Sequence, residues 1–228
     1  MLTSCYNAGK DGLLLTMLSS GKHKEQALYD LVSGWRRGIF TAKDARRCGY
    51  SNQLVAHHVK AGNFVRLARG VYRLGLFPGD HLDGLVGALV RLDPENAVVS
   101  HQSALQLHEL SEVAPSAYEF TLPREKRYRG SRTRHADGVK IHTATRLDPQ
   151  DVATVGGIRV TSPARSIVEA GNGGMDLKLV RSAVFDALRK LKASPTQLLD
   201  EAARSAEPAI QRAIQEAVAD APSSERVA

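Results

Sequence analysis

Two short runs of alternating apolar and basic residues meet at an Arg-Gly pair, and they limit most strictly what this part of the chain can form. They read FVRLA (64–68) and VYRL (71–74), on either side of Arg69 and Gly70. Runs of this length, rich in β-branched and aromatic residues and separated by a two-residue turn that contains Gly, predict a β-hairpin. Both strands carry arginine, so we expect the hairpin to contact a polyanion.

Three helices are predicted before the hairpin. The first begins near Lys24, where apolar residues recur with the period of a helix. Thr41 is a good N-cap for a short helix over 42–48, and Ser51 for another over 52–61. The order of helix, two short helices and a two-stranded ribbon is that of a winged helix-turn-helix, which we place at residues 23–75.

The last of these helices has two distinct faces. Val55, His58 and Val59 are expected to point into the core, although His58 stands at a position that suits an apolar side chain. The opposite stripe, at spacings i, i+3, i+4 and i+7, consists of Gln53, Ala56, His57 and Lys60. A helix fits the major groove of DNA, where Gln and His can reach base edges and Lys can reach a phosphate.

The candidate DNA-binding residues combine this stripe with the cations around it. They are Arg46, Arg47, Ser51, Asn52, Gln53, His57, Lys60, Arg66, Arg69 and Arg73. Ser51 and Asn52 lie at a helix N-terminus, which favours contact with phosphate. Helix-turn-helix domains also serve as protein-contact modules, in which case Gln53 and His57 would only be solvated.

The excess positive charge lies entirely in the first third of the chain. Residues 1–78 hold 12 Lys and Arg against 4 Asp and Glu, whereas the other 150 residues hold 19 against 20. An asymmetry of this kind indicates a polyanion partner for the first third, or else a basic surface without a partner.

The remainder of the chain is predicted to form a larger mixed α/β domain over residues 80–220. The whole chain is predicted to be an α+β protein that is mostly helical. Residues 76–80 are a linker, and a helix follows over about 81–92. Short strands then precede helices that begin near Pro163, Asp176, Ser194 and Pro208. The Asp176 helix is expected to be amphipathic, with one face formed by Leu177, Val180, Val184, Leu188 and Leu191. Residues 1–22 are an N-terminal extension and 221–228 a flexible tail.

Three stretches closely resemble the AbiEi-type antitoxins of abortive-infection toxin–antitoxin systems, commonly called type IV. They are TAKDARRCGYSNQLVAHHVKAGNFVRLARGVYRL (41–74), VSHQSALQLHEL (99–110) and VTSPARSIVEAG (160–171). The most specific pieces are the RGVYRL wing and the start of the TSPARSIVEA helix. One departure is Glu169, where relatives often carry Asp.

The resemblance implies an N-terminal winged helix-turn-helix that binds operator DNA with inverted repeats in its own promoter and represses the operon. It also implies a C-terminal antitoxin domain that counteracts an AbiEii-type nucleotidyltransferase toxin, directly or indirectly. Neither predicted domain shows a heptad seam, so the sequence does not predict a dimer, and a monomer bound to each repeat is as plausible.

A second basic patch is predicted in the loop REKRYRGSRTR (124–134). Its cations are Arg124, Lys126, Arg127, Arg129, Arg132 and Arg134. The loop could hold a nucleic acid or an acidic protein face, or it could be a solvated connection between strands.

No conventional catalytic motif, cofactor fingerprint or metal-ligand array stands in the sequence. His101 and His108 are seven apart on one helix without a third ligand, so we expect them to be packed or hydrogen-bonded and not to bind metal. An enzyme that covalently modifies the toxin, for example by phosphorylation, and a module that only sequesters it remain as alternatives. No apolar run approaches the about 20 residues of a membrane span, and the cysteines suit the cytoplasm.

Overall fold

The computed structural model describes residues 23–112, 114–126, 138–145 and 147–222. The chain divides into two compact units between Arg91 and Leu92. None of the helices in the described part is long and apolar enough to cross a membrane. The mixed α/β class with more helix than strand, predicted from the sequence, is confirmed.

The first unit alternates short helices and strands. Its elements are helix α1 (residues 23–32), β1 (Ile39–Thr41), α2 (Ala42–Arg47), α3 (Asn52–Lys60), β2 (Phe64–Ala68), β3 (Val71–Leu74) and α4 (Asp83–Leu92). The three strands form an antiparallel sheet in the order β1-β3-β2. Helices α2 and α3 are followed by the β2–β3 hairpin, which is the order of elements predicted from the sequence. Strand β1, which lies outside the predicted hairpin, completes the sheet.

The sheet of the first unit carries side chains on both faces, and each face packs against helix. On one face Phe40 and Phe64 are buried with Leu28 and Val32 of α1. On the other face Val71 lies beside Gly87 of α4: a Cβ on Gly87 would be 3.4 Å from the Val71 Cγ1 atom. Helix α4 therefore packs with the wing, whereas the sequence analysis placed residues 81–92 at the start of the second domain.

The second unit contains a five-stranded mixed sheet in the order β6-β5-β4-β8-β7. Its strands are β4 (Val98–Val99), β5 (Tyr118–Pro123), β6 (Val139–Ala144), β7 (Val152–Val155) and β8 (Ile158–Thr161). Its helices are α5 (His101–Leu107), α6 (Pro163–Asn172), α7 (Leu177–Arg189), α8 (Pro195–Ala203) and α9 (Pro208–Asp220). Strand β4 is central although it has two residues, because it pairs with β5 on one side and β8 on the other.

Helices α6 to α9 pack around one apolar core that includes Ile167, Val184 and Leu198. Two leucines predicted for the buried face of α7 are exposed: Leu177 is 42% and Leu191 69% exposed. Leu177 is the first residue of α7, and Leu191 follows the helix, which ends at Arg189. The buried face is completed by Ala183 and Ala187.

Candidate nucleic-acid interface

Helix α3 is held in place by its cap and its inward side chains. The Ser51 Oγ atom accepts a hydrogen bond from the Leu54 N–H at 3.1 Å, which satisfies one of the free donors at the helix start. Val55 is buried, and Gly62 follows the helix with a φ of 78°. A positive φ is readily adopted by glycine, so the chain turns directly from α3 into β2.

The face of α3 opposite Val55 is open to solvent. Gln53, Ala56, His57 and Lys60 are all exposed, as are Ser51 and Asn52 at its start. The predicted stripe therefore exists as a surface, with polar groups that can donate and accept hydrogen bonds. Nothing in the first unit covers these side chains among the residues that the structure describes.

His58 takes the inward position that the sequence analysis assigned to it. Its ring stacks on Phe64 with centroids 4.7 Å apart, and its Nδ1 atom is 3.2 Å from the Asn63 Nδ2 atom. The imidazole thus fills an apolar site with its ring face and keeps one nitrogen hydrogen-bonded, which explains why a polar residue is tolerated there.

Helix α2 begins with a capping box. The Thr41 Oγ1 atom accepts from the Asp44 N–H at 3.1 Å, and the Asp44 carboxylate accepts from the Thr41 N–H at 2.9 Å. Asp44 and Ala45 are buried, so the exposed Arg46 and Arg47 lie on the other side of the helix.

Lys43 is a cation of α2 that the sequence analysis missed. It is exposed and stands three and four residues before Arg46 and Arg47. That spacing places all three side chains on one face, and it is readable from the sequence. In helix-turn-helix proteins the first helix of the motif crosses the DNA backbone, where such a row of cations suits phosphates.

The wing is a short hairpin with its turn anchored to the start of α2. Gly70 has a φ of 73°, and its carbonyl oxygen accepts a hydrogen bond from the Ala42 N–H at 2.9 Å. Arg66 on β2 and Arg69 at the turn are both exposed. The hairpin therefore presents two arginines from a turn that is hydrogen-bonded to the helix-turn-helix.

Arg73 differs from the other candidate residues. Its side chain is 13% exposed and forms an ion pair with Asp83 at the start of α4. Successive residues of a strand point to opposite faces. Arg73 therefore lies on the α4 side of β3, and we leave it out of the proposed interface.

Two groups of cations can be distinguished in the first unit. Arg36, Arg37 and Arg73 form ion pairs with Asp44, Asp80 and Asp83 respectively. The second group is exposed and has no carboxylate within ion-pair distance among the described residues: Lys43, Arg46, Arg47, Lys60, Arg66 and Arg69. Because the unit does not neutralise these six charges itself, they are available to an external anion.

The second predicted basic patch is only partly described. Arg124 and Lys126 are exposed in a short 3-10 turn that follows β5. Arg127, Arg129, Arg132 and Arg134 lie outside the described residues, so the patch as a whole stays a prediction.

The second unit also contains a polar cluster that the sequence analysis did not assemble. The rings of His101 and His142 stack with centroids 3.5 Å apart. Glu119, which is buried, is 3.3 Å from the His142 Nε2 atom and 3.1 Å from the Lys140 Nζ atom. His101 has a φ of 53°, which is uncommon for a residue with a side chain. The contributing residues come from α5, β5 and β6, so no local pattern could reveal the cluster.

The two predicted histidines do not contact each other. His108 donates from its Nε2 atom to the Thr161 carbonyl oxygen at 2.8 Å, whereas the His101 Nδ1 atom is 2.9 Å from the Ser100 Oγ atom. The Ser100 side chain thus bonds to His101 and makes no capping hydrogen bond to the backbone N–H groups of α5.

The surroundings of this cluster lower the pKa of two of its side chains, His101 and Glu119. Burial, followed by the neighbouring His142, lowers the pKa of His101 to about 3. Burial alone would raise the pKa of Glu119, but hydrogen bonds from His142, Lys140 and the Gln102 N–H outweigh it and lower that pKa to about 2. The arrangement is therefore built for a neutral His101 beside a charged Glu119.

Arg165 connects this region to the rest of α6. Its guanidinium bonds to Glu169 at 2.8 Å and to Asp151 at 2.6 Å. Glu169 thus pairs with Arg165 one helical turn away. These ion pairs are partly buried and hold α6 to the turn before β7.

Comparison with known proteins bears on the first unit. Residues 27–75 match a family model described as transcriptional regulator, AbiEi antitoxin. No curated protein matches the chain. The matched residues run from α1 to the end of the wing and include all the exposed cations of the first unit discussed above. The resemblance seen in the sequence is therefore confirmed over residues 27–75, which are similar to the transcriptional regulators of the AbiEi antitoxin family.

Proposed function

We propose that the first unit binds duplex DNA, with α3 in the major groove and the cations of α2 and the wing on the phosphates. The observation that carries the proposal is the group of six exposed cations without carboxylate partners, next to an exposed polar stripe on α3. Gln53 and His57 read base edges, whereas Lys43, Arg46, Arg47, Lys60, Arg66 and Arg69 contact phosphates. The target is an inverted repeat in the chain's own promoter, where binding represses transcription.

Fluorescence anisotropy with a labelled promoter duplex and an unrelated duplex of equal length tests this proposal. Wild type should bind the promoter more tightly, and the affinity should fall steeply as salt rises. Gln53→Ala and His57→Ala should weaken promoter binding by about 1–3 kcal/mol each if they make base contacts, and leave the salt dependence unchanged. Equal affinity of wild type for both duplexes, without salt dependence, would count against DNA recognition.

We further propose that the second unit provides the antitoxin activity against a nucleotidyltransferase toxin encoded beside it. The division of roles follows the boundary at Arg91 and Leu92. A cut at residue 75 would separate α4 from the wing sheet, where Asp83 pairs with Arg73. Point substitutions in the full chain therefore separate the two roles better than a truncation.

The full-length double variant Gln53→Ala/Arg69→Ala should lose promoter binding and still rescue growth when the toxin is expressed. Failure of a folded double variant to rescue growth would refute the division of roles. Two further measurements on wild type distinguish how the toxin is counteracted. Co-purification of toxin and antitoxin indicates sequestration, and a mass increase of the toxin after incubation with ATP indicates covalent modification.

A further inference from the structure

A cavity of about 690 Å3 opens in the first unit between α1, the end of α3 and the ends of the wing strands. Glu25 and Tyr29 line it from α1, His58 from α3, and Phe64 and Leu74 from the two strands. Sites for small molecules typically enclose about 300–1,000 Å3. The cavity is therefore large enough for a small-molecule ligand.

The wall of the cavity is rich in rings. Tyr50 lies 5.7 Å from Phe64 and 5.6 Å from His58, measured between ring centroids. At the cavity Tyr29 is 43% exposed and Leu76 68% exposed. Surfaces of this composition favour a ligand with an apolar or aromatic body.

The charge of the cavity is opposite to that of the surrounding unit. Among the described residues that line it, Glu25 alone carries a fixed charge; Gln26 and Asn63 add neutral polar groups. Glu25 lines the same cavity as the rings of Tyr29, Tyr50 and Phe64. Burial, followed by the charge of Glu25, raises the pKa of Tyr50 to about 12. A carboxylate beside aromatic faces complements a cation, because the faces of the rings are electron-rich.

We propose that this cavity binds a small organic cation with an apolar, aromatic body, and that the bound cation changes the affinity of the first unit for DNA. The second part rests on the proposed function. The cavity is lined by His58 in the last turn of α3 and by Gly62, Phe64 and Leu74, which connect α3 to the wing. A ligand seated there contacts both elements proposed to bind DNA.

Isothermal titration with tetraphenylphosphonium and tetraphenylborate tests the binding in the absence of DNA. The two ions share one shape and differ in the sign of their charge. The basic surface of the first unit would favour the anion, so a preference for the cation reports on the cavity. We expect the cation to bind about tenfold more tightly. Equal binding of both ions, tighter binding of the anion, or no binding of either overturns the proposal.

Two variants locate the site. Glu25→Gln removes the charge from an exposed position and should abolish the preference for the cation. Leu76→Arg places a positive charge at the cavity and should abolish binding of the cation. Leu191→Arg is the matched control, because Leu191, at 69% exposed, is as accessible as Leu76 but lies in the second unit. If Leu191→Arg weakens binding as much as Leu76→Arg, the cation binds elsewhere and the proposal is wrong.

The effect on DNA is measured separately. Saturating tetraphenylphosphonium should change the promoter affinity of wild type by about fivefold or more, as is typical of coupled sites, and should leave that of Leu76→Arg unchanged. Cation binding with an unaltered DNA affinity refutes the coupling but not the site. If wild type does not bind promoter DNA at all, the proposed function fails, while the titration without DNA still decides whether the cavity binds cations.

Discussion

Arg69 and Arg73 stand four residues apart on one hairpin, and we expect their alanine variants to show opposite defects. Six cations of the first unit are exposed without a carboxylate partner. If each contacts one phosphate, log Kobs should fall with log salt at a slope of about −5, since each contact contributes about 0.9. Arg69→Ala should therefore reduce the steepness of this slope by about 0.9 and leave the free energy of unfolding unchanged.

Arg73→Ala should instead destabilise the first unit. It leaves the Asp83 carboxylate, whose side chain is 17% exposed, without its ion-pair partner. Removing one member of such a pair costs about 3 kcal/mol. The Arg73→Ala/Asp83→Ala double variant should recover part of this loss, because neither charge is then left unpaired. Under conditions where Arg73→Ala is folded, its slope of log Kobs against log salt should equal that of wild type.

Two assays separate these outcomes. Anisotropy titrations between about 50 and 200 mM salt give the slope. Urea unfolding followed by tryptophan fluorescence gives the stability of the first unit, since the one tryptophan of the chain is Trp35. The assignment of Arg73 to the α4 side would be refuted if Arg73→Ala made the slope less steep, as Arg69→Ala is expected to do, and left the stability unchanged.

Three further predictions concern stability. Asp44→Ala removes the carboxylate that accepts from the Thr41 N–H and should destabilise the first unit by about 2 kcal/mol in the same urea assay. Gly75→Ala would place a Cβ 2.7 Å from the Gly62 carbonyl oxygen and should cost about 1–3 kcal/mol; unchanged stability would show that the backbone can shift there. The pKa of His101 in the folded state is about 3, well below its ordinary value, so the stability of the second unit should be complete above pH 6.5 and fall by up to about 1.4 kcal/mol per pH unit below it. His101→Asn, which tolerates the positive φ, should flatten this dependence in calorimetry; an identical pH profile would contradict the assigned cause.

Local signals in the sequence were sufficient to predict helices α2 and α3 and the β2–β3 hairpin. Ser51 and Thr41 mark helix starts, and Gly62 marks a helix end, because each acts through its own backbone and its nearest neighbours. The hairpin is equally local, since its turn holds Gly70 at a positive φ. Strands β1 and β4 were missed because two or three residues are too few to show alternation.

The partners of the arginines could not be predicted in the same way. Arg66 and Arg73 look alike in the sequence, and only the presence of α4 against one face of the sheet distinguishes them. The stack of His101 on His142 likewise depends on the way α5 and β6 meet in the second unit. Both features result from contacts between residues that are distant along the chain, and a single sequence carries little information about those.

The packing of both faces of the wing sheet has a consequence for the nucleic acid. A hairpin that projects freely can bend to follow the groove, whereas this one lies between α1 and α4 and is tied at its turn to α2. If the first unit docks as proposed, the adjustment needed for a close fit falls on the duplex and not on the protein. Pyrimidine–purine steps kink most easily, so operators with such a step beneath the wing should be preferred even though no side chain reads those bases.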